Sequence, residues 1–239
     1  MRRGQGRGAQ EMTEQSAPMG PLAGRVIRGA SMLLGANVLA RLIGVGSIAV
    51  LARLLTPDDF GVVALGVLAV GFAQIVSAAH LDNALLRLPA PEREHYATVL
   101  AMSALRGIGL AMLMLAVSEP LAMVMDMPEA APVVRVLALV PLLDGLHNPY
   151  FLDYARQMRF APQVAVTVAM KGVMTGVAIG LAYWRGDYWA MVAGLVASSA
   201  TRTAMSYALR PALPGLSLRR WRAFLGFGGW MSGGAIISF

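Results

Sequence analysis

Six apolar runs, at residues 31–52, 61–79, 96–117, 133–151, 164–184 and 188–209, each approach or exceed the roughly 20 residues that a helix needs to cross a bilayer core of about 30 Å. Inside hydrocarbon every backbone N–H and C=O must find a partner within the protein, which leaves helices and closed barrels as the spanning structures. A barrel would show short segments of alternating polarity, whereas these runs are long and continuous. The expected fold class is therefore an all-α integral membrane protein: a lobe of six transmembrane helices plus the start of a seventh, which begins near Phe224 and runs to Phe239. Composition agrees, because only 14% of the residues are charged and 57% are hydrophobic, while soluble domains carry about a quarter charged residues.

The net charge of +7 is explained by where the charges fall. Thirteen Lys and Arg residues lie in the N-terminal tail and in the loops after the second, fourth and sixth runs, against two (Arg53 and Arg185) on the opposite side. The positive-inside rule places the N-terminus in the cytoplasm and the acidic loop of Glu119, Asp126 and Glu129 outside. Basicity thus reports topology, and no nucleic-acid partner is expected. Residues 1–24 read as a disordered cytoplasmic tail, 25–209 as the six-helix lobe, 210–223 as a basic cytoplasmic linker and 224–239 as the cut-off start of the seventh helix. In the linker, Leu216, Leu218 and Trp221 alternate with arginines, a pattern suited either to the surface of an anionic leaflet or to a plain connection.

The remaining five basic residues sit within the apolar runs: Arg41, Arg106, Arg135, Lys171 and Arg202. A charge at the centre of a membrane helix costs on the order of 2.5–3.5 kcal/mol on insertion scales, so such residues generally face a polar cavity or a partner. Arg135, close to the start of its helix, is expected to snorkel to the outer interface. Lys171 and Arg202 lie seven residues from the cytoplasmic ends of their runs, about 10 Å, and could either snorkel or line a cavity. Arg41 and Arg106 lie about ten residues from either end, which points to a cavity or to pairing with Asp144. Each cation keeps polar company at helical spacing: Asn37 with Arg41, Thr167 and Thr175 with Lys171, Ser198 and Ser206 with Arg202. Gln74 and Asp144 are the further polar candidates. Gly172, Gly176 and Gly180, and likewise Ala36, Ala40 and Gly44, form small-residue faces expected to pack helix against helix. At the outer turns, Pro57, Asp58, Asp59 and Asp187 are expected to cap the helices that follow.

No enzyme chemistry is expected. His80, His95 and His147 lack metal-ligand spacing, there is no cysteine, and no P-loop pattern occurs. Gly229-Trp230-Met231-Ser232-Gly233 resembles the setting of an intramembrane serine nucleophile, but no histidine follows to serve as its base. Neither a cofactor nor a metal is called for.

The segment Leu51-Ala52-Arg53-Leu54-Leu55-Thr56-Pro57-Asp58-Asp59-Phe60-Gly61 resembles the "ARLLTPEDFG" turn of the polysaccharide-biosynthesis exporters, the lipid-linked oligosaccharide flippases of the MOP superfamily. Asp153-Tyr154-Ala155-Arg156-Gln157-Met158-Arg159-Phe160 is similar to their basic "RQLRF" segment, and Asp187-Tyr188-Trp189-Ala190-Met191-Val192-Ala193-Gly194 to their "GYWALVAG". The resemblance implies two six-helix lobes around a cationic cavity that works by alternating access, with this chain as the N-terminal half. The implied cargo is an undecaprenyl-diphosphate-linked oligosaccharide for lipopolysaccharide, capsule or exopolysaccharide. The surroundings are membrane lipids, and the partners are a glycan polymerase and glycosyltransferases of the same pathway. Arg41, Arg106, Lys171 and Arg202 would then draw the diphosphate, while Asn37, Gln74, Asp144, Thr167, Thr175 and Ser198 line the polar path. Two alternatives stay open: a cation-coupled antiporter of the MATE type, which would need cavity acids, and a truncated remnant that transports nothing.

Overall fold

The computed structural model describes residues 21–76 and 81–219, and every regular element among them is helical. The expected seventh helix, Trp221, residues 1–20 and the last residues of the second run lie outside the described residues. In chain order the helices are α1 (Pro21–Leu54), α2 (Pro57–Val76), α3 (Leu81–Arg87), α4 (Arg93–Val124), α5 (Ala130–Leu137), α6 (Leu139–Gly145), α7 (Leu152–Arg156), α8 (Ala161–Arg185) and α9 (Trp189–Leu209). A 3-10 turn, Pro149–Phe151, precedes α7.

Among the described residues four helices are long and apolar enough to cross a membrane, or five if α5–α6 and the segment after them count as one bent span. The sixth expected span, α9, has the length at 21 residues, but Ser198, Ser199, Thr201, Arg202, Thr203 and Ser206 make it more polar than the others. α4 runs well past the expected end at residue 117, carrying Pro120 within its last turns at the loss of one ladder hydrogen bond.

The fourth run, expected as one helix over 133–151, is broken. Pro141 supplies no N–H to the carbonyl of Leu137, and the helix divides at Ala138 between α5 and α6. A second interruption follows at Leu146–Asn148, where Pro149 disfavours helical backbone at the preceding residue; Asn148 is accordingly extended (φ −74°, ψ 112°). The two halves meet at 58°.

Local chemistry sets the turns. Thr56 caps α2 in a reciprocal box: its Oγ1 accepts from the Asp59 amide (3.3 Å), while Asp59 Oδ2 accepts from the Thr56 amide (2.9 Å) and hydroxyl (2.7 Å). Asp187 does not cap α9 as expected; its carboxylate accepts from Arg185 Nε at 3.0 Å across the short turn. That turn is made possible by Gly186, whose φ of +66° lets its N–H close on the Ala182 carbonyl at 2.9 Å.

In space α1 packs along α8, α8 on α9, and α9 on α5 and α6, which in turn lie against α4, with α2 on α5. A cluster of Val62, Val63, Leu110, Met114, Val133, Val134, Leu137 and Val192 ties α2, α4, α5 and α9 together. The close approaches depend on glycines other than those expected. At Gly145 a Cβ would stand 2.4 Å from the Ser103 carbonyl oxygen, and at Gly107 2.6 Å from that of Pro141, so α4 and α6 meet backbone to backbone. α8 and α9 meet through Ala178, Ala182, Ala190 and Gly194, where a Cβ would lie 2.8 Å from the Met174 oxygen. Gly172, Gly176 and Gly180 have nothing within 4 Å; the small-residue stripe points away from the described bundle.

Candidate functional site

The hairpin α8–α9 carries two polar stripes at helical spacing, and its tight seam turns them toward the broken span. From α8 come Gln163, Thr167 and Lys171, and from α9 come Ser206 and Arg202. With His147 at the break and Asp82 on α3 they line a cavity of about 480 Å3. Arg202 approaches Asp144 of α6 at 3.5 Å, with 43% of its side chain still exposed, and Asp82 lies 3.6 Å from His147 Nε2. His147 Nδ1 is 2.9 Å from the Asp144 carbonyl oxygen, which fixes the ring against the end of α6. Lys171 makes no hydrogen bond or ion pair among the described residues. The cavity thus holds two fixed cations, one of them engaged by Asp144, beside the Asp82–His147 pair.

The break that opens this cavity is held by hydrogen bonds from α9. Ending a helix in an apolar setting strands its last carbonyls. Here Thr203 donates to the Leu143 oxygen (2.7 Å) and Tyr207 to that of Leu146 (2.9 Å). Asn148, fully buried, is the hub: its amide donates to Ser206 Oγ (2.9 Å), and its Oδ1 accepts from the Tyr150 amide (3.1 Å). Its Nδ2 donates to the carbonyls of Arg210 (2.8 Å) and Ala212 (3.0 Å). Beyond the break, Asp153 accepts from Tyr96 (2.5 Å) and Arg210 (3.1 Å), and Tyr150 stacks on Tyr96. Arg156 donates to the Leu88 carbonyl at 2.7 Å and to that of Pro89 at 3.1 Å, capping the end of α3. These contacts clamp the basic segment 153–160 to α3, α4 and the end of α9.

The other candidates lie elsewhere. Asn37 and Arg41 are exposed on α1, whose buried face is that of Ala36 and Ala40, and Gln74 is exposed on α2. Arg106 is half-buried on α4 and lines neither this cavity nor the smaller one beside it. Asp144 pairs with Arg202, not with Arg41 or Arg106. Thr175 is half-buried outside the cavity, and Ser198 lies in a smaller pocket beyond it. Arg135 forms an ion pair with Glu119 and reaches Ser118 Oγ at 3.3 Å, near the acidic loop. Nothing in the spacing of the sequence singles out Asp82 or Gln163; they reach the cavity because α3 and the start of α8 fold back on the break. No group of three or more metal-ligating side chains occurs among the described residues.

Residues 50–239 match the family described as polysaccharide biosynthesis protein. The chain belongs to that family. The family match starts after Asn37 and Arg41 and takes in every residue that lines the cavity. Over 196 residues the chain is 29% identical to the succinoglycan biosynthesis transport protein ExoT of Rhizobium meliloti (strain 1021), an alignment covering 81% of this chain and 40% of that protein. The chain therefore spans about 40% of the length of this relative. No solved structure matches. With four to five apolar helices of spanning length among the described residues, this member of the polysaccharide biosynthesis protein family is a multi-pass membrane protein.

Proposed function

We propose that the chain acts in polysaccharide export, as the N-terminal lobe of a transporter that moves lipid-linked oligosaccharide units across the bacterial plasma membrane, with its N-terminus in the cytoplasm. The observation that carries this reading is the meeting of Lys171 and Arg202, from two facing helices, in one cavity with Thr167 and Ser206. Lipid-linked sugars present an anionic diphosphate beside many hydroxyls. A guanidinium and an ammonium suit the first, and Thr, Ser and Gln side chains suit the second. Arg202 keeps part of its donor set free despite Asp144, and Lys171 has all of its own to offer. The relative's name, a succinoglycan transport protein, supports the same reading.

Asp82, on the cavity wall, and Asp144, just behind it, are the feature a cation-coupled antiporter would use, but each is turned to a basic neighbour, and the family match favours polysaccharide. Within this proposal Arg41 and Arg106 stand apart from the cavity described here. In cells lacking their own exporter, the full-length protein carrying K171Q and R202Q together should lose most surface polysaccharide, while R41Q retains it. Undiminished export in the double variant would refute the assignment of this cavity.

A further inference from the structure

The larger cavity does not end at Lys171. The same side chain also lines a second pocket of about 200 Å3, farther along α8 and α9, bounded by Met174, Ser198, Ser199, Leu195, Val140 and Leu137. The order of the residues gives the direction of the path. Along α9, Ser206 and Arg202 face the larger compartment, nearer the end of the helix, and Ser199, Ser198 and Leu195 face the smaller one, deeper along it. Along α8, Gln163 and Thr167 precede Lys171 in the first compartment, and Met174 follows in the second. Lys171 is the residue the two compartments share. Leu137, on the wall of this second pocket, is fully buried and joins Val133, Val134 and Val192 in the apolar cluster.

We propose that Lys171 is a hand-over residue between two successive anion sites, a vestibule at Arg202 and an inner pocket at Ser198 and Ser199 that takes a group of diphosphate size. This rests on the reading of the cavity as an anion path. Lys171 suits the role on three counts. It has no partner among the described residues to hold it on one side. Its four-carbon stem lets the ammonium swing between compartments, which a fixed guanidinium fork would do less readily. The inner pocket otherwise offers only two hydroxyls against apolar walls, so an anion there depends on the lysine for its counter-charge. Removing Lys171 should therefore empty the inner site and leave the vestibule, which keeps Arg202, able to bind.

The chain contains no cysteine, so one introduced thiol reports one position. Single variants Q163C, in the vestibule, and S198C, in the inner pocket, are made in the full chain in membrane vesicles. They are labelled with an anionic methanethiosulfonate with and without inorganic pyrophosphate. Pyrophosphate is expected to slow labelling at both positions by fivefold or more. In the K171M background, which keeps the apolar stem, protection should vanish at S198C and persist at Q163C. An unchanged Q163C rate without pyrophosphate shows that the variant is folded. Protection at Q163C with none at S198C, or protection at S198C that survives K171M, would overturn the hand-over while leaving the vestibule intact. Protection at neither position would overturn the anion path itself, and the hand-over with it.

Discussion

Glycine positions that look equivalent in sequence should respond to alanine with opposite signs. Within a helix, replacing Gly by Ala removes a backbone-entropy cost and should stabilise by about 0.5–1 kcal/mol where the methyl meets nothing. Gly176, mid-helix in α8, would place its new methyl with no atom within 4 Å, and should show that gain. At Gly145 the methyl would stand 2.4 Å from the Ser103 carbonyl oxygen and 3.2 Å from the Gly107 Cα. Both neighbours are backbone, so no rotamer change relieves the clash and α4 and α6 must separate. Overpacking of this kind typically costs about 1–3 kcal/mol, which outweighs the propensity gain. The propensity gain is common to both variants, so G145A should be less stable than G176A by the overpacking cost alone, about 1–3 kcal/mol. The assay is detergent-driven unfolding of the purified chain, followed by the fluorescence of its 4 tryptophans. A G145A protein as stable as the parent, or a G176A protein destabilised as much as G145A, would refute the packing argument.

Further predictions concern the break and the chain around it. N148A removes the donors to the Arg210 and Ala212 carbonyls and the acceptor for Tyr150, and should cost at least about 2 kcal/mol, since buried groups are left unpaired. It should also hasten hydrogen exchange at residues 148–150; unchanged exchange would show that the hub is dispensable. Y207F should cost about 1 kcal/mol by stripping the Leu146 carbonyl of its hydroxyl, read in the same unfolding assay. M158G should stabilise by about 1 kcal/mol, because Met158 sits at φ +53° in the turn that closes α7, where Arg159 N–H reaches the Tyr154 oxygen at 2.8 Å.

Much of the helical framework is legible in the sequence because apolar runs of about 20 residues have few alternatives, and α1, α2, α4 and α8 occupy four of the six runs. The broken fourth run shows where that reasoning stops. Pro141 and Pro149 mark its two interruptions, but overall apolarity suggests one helix; only the α9 hydroxyls that satisfy the freed carbonyls make the break tenable. Glycine spacing proved a weaker guide. Gly172, Gly176 and Gly180 form the clearest small-residue stripe and face open space, while Gly107 and Gly145, isolated in sequence, bring two helices together. Depth along a helix, likewise, says nothing about the direction a side chain faces in the bundle. Arg41 lies deep in its run but is exposed on the outside of α1, whereas Lys171 and Arg202 are nearer the helix ends and turn into the cavity. Asp82 joins them through the fold of a short helix that carries no motif of its own.

On the proposed function, Lys171 and Arg202 together hold the anionic head of a lipid-linked substrate. The most direct test is the binding of farnesyl diphosphate, a short lipid diphosphate, to the detergent-purified full-length protein by titration calorimetry. Charge-assisted hydrogen bonds contribute about 1.5–3 kcal/mol each, so K171Q and R202Q should each weaken binding roughly ten- to a hundredfold, and R41Q should leave it unchanged. Equal affinity in the parent and in both cavity variants, or a loss confined to R41Q, would contradict the account.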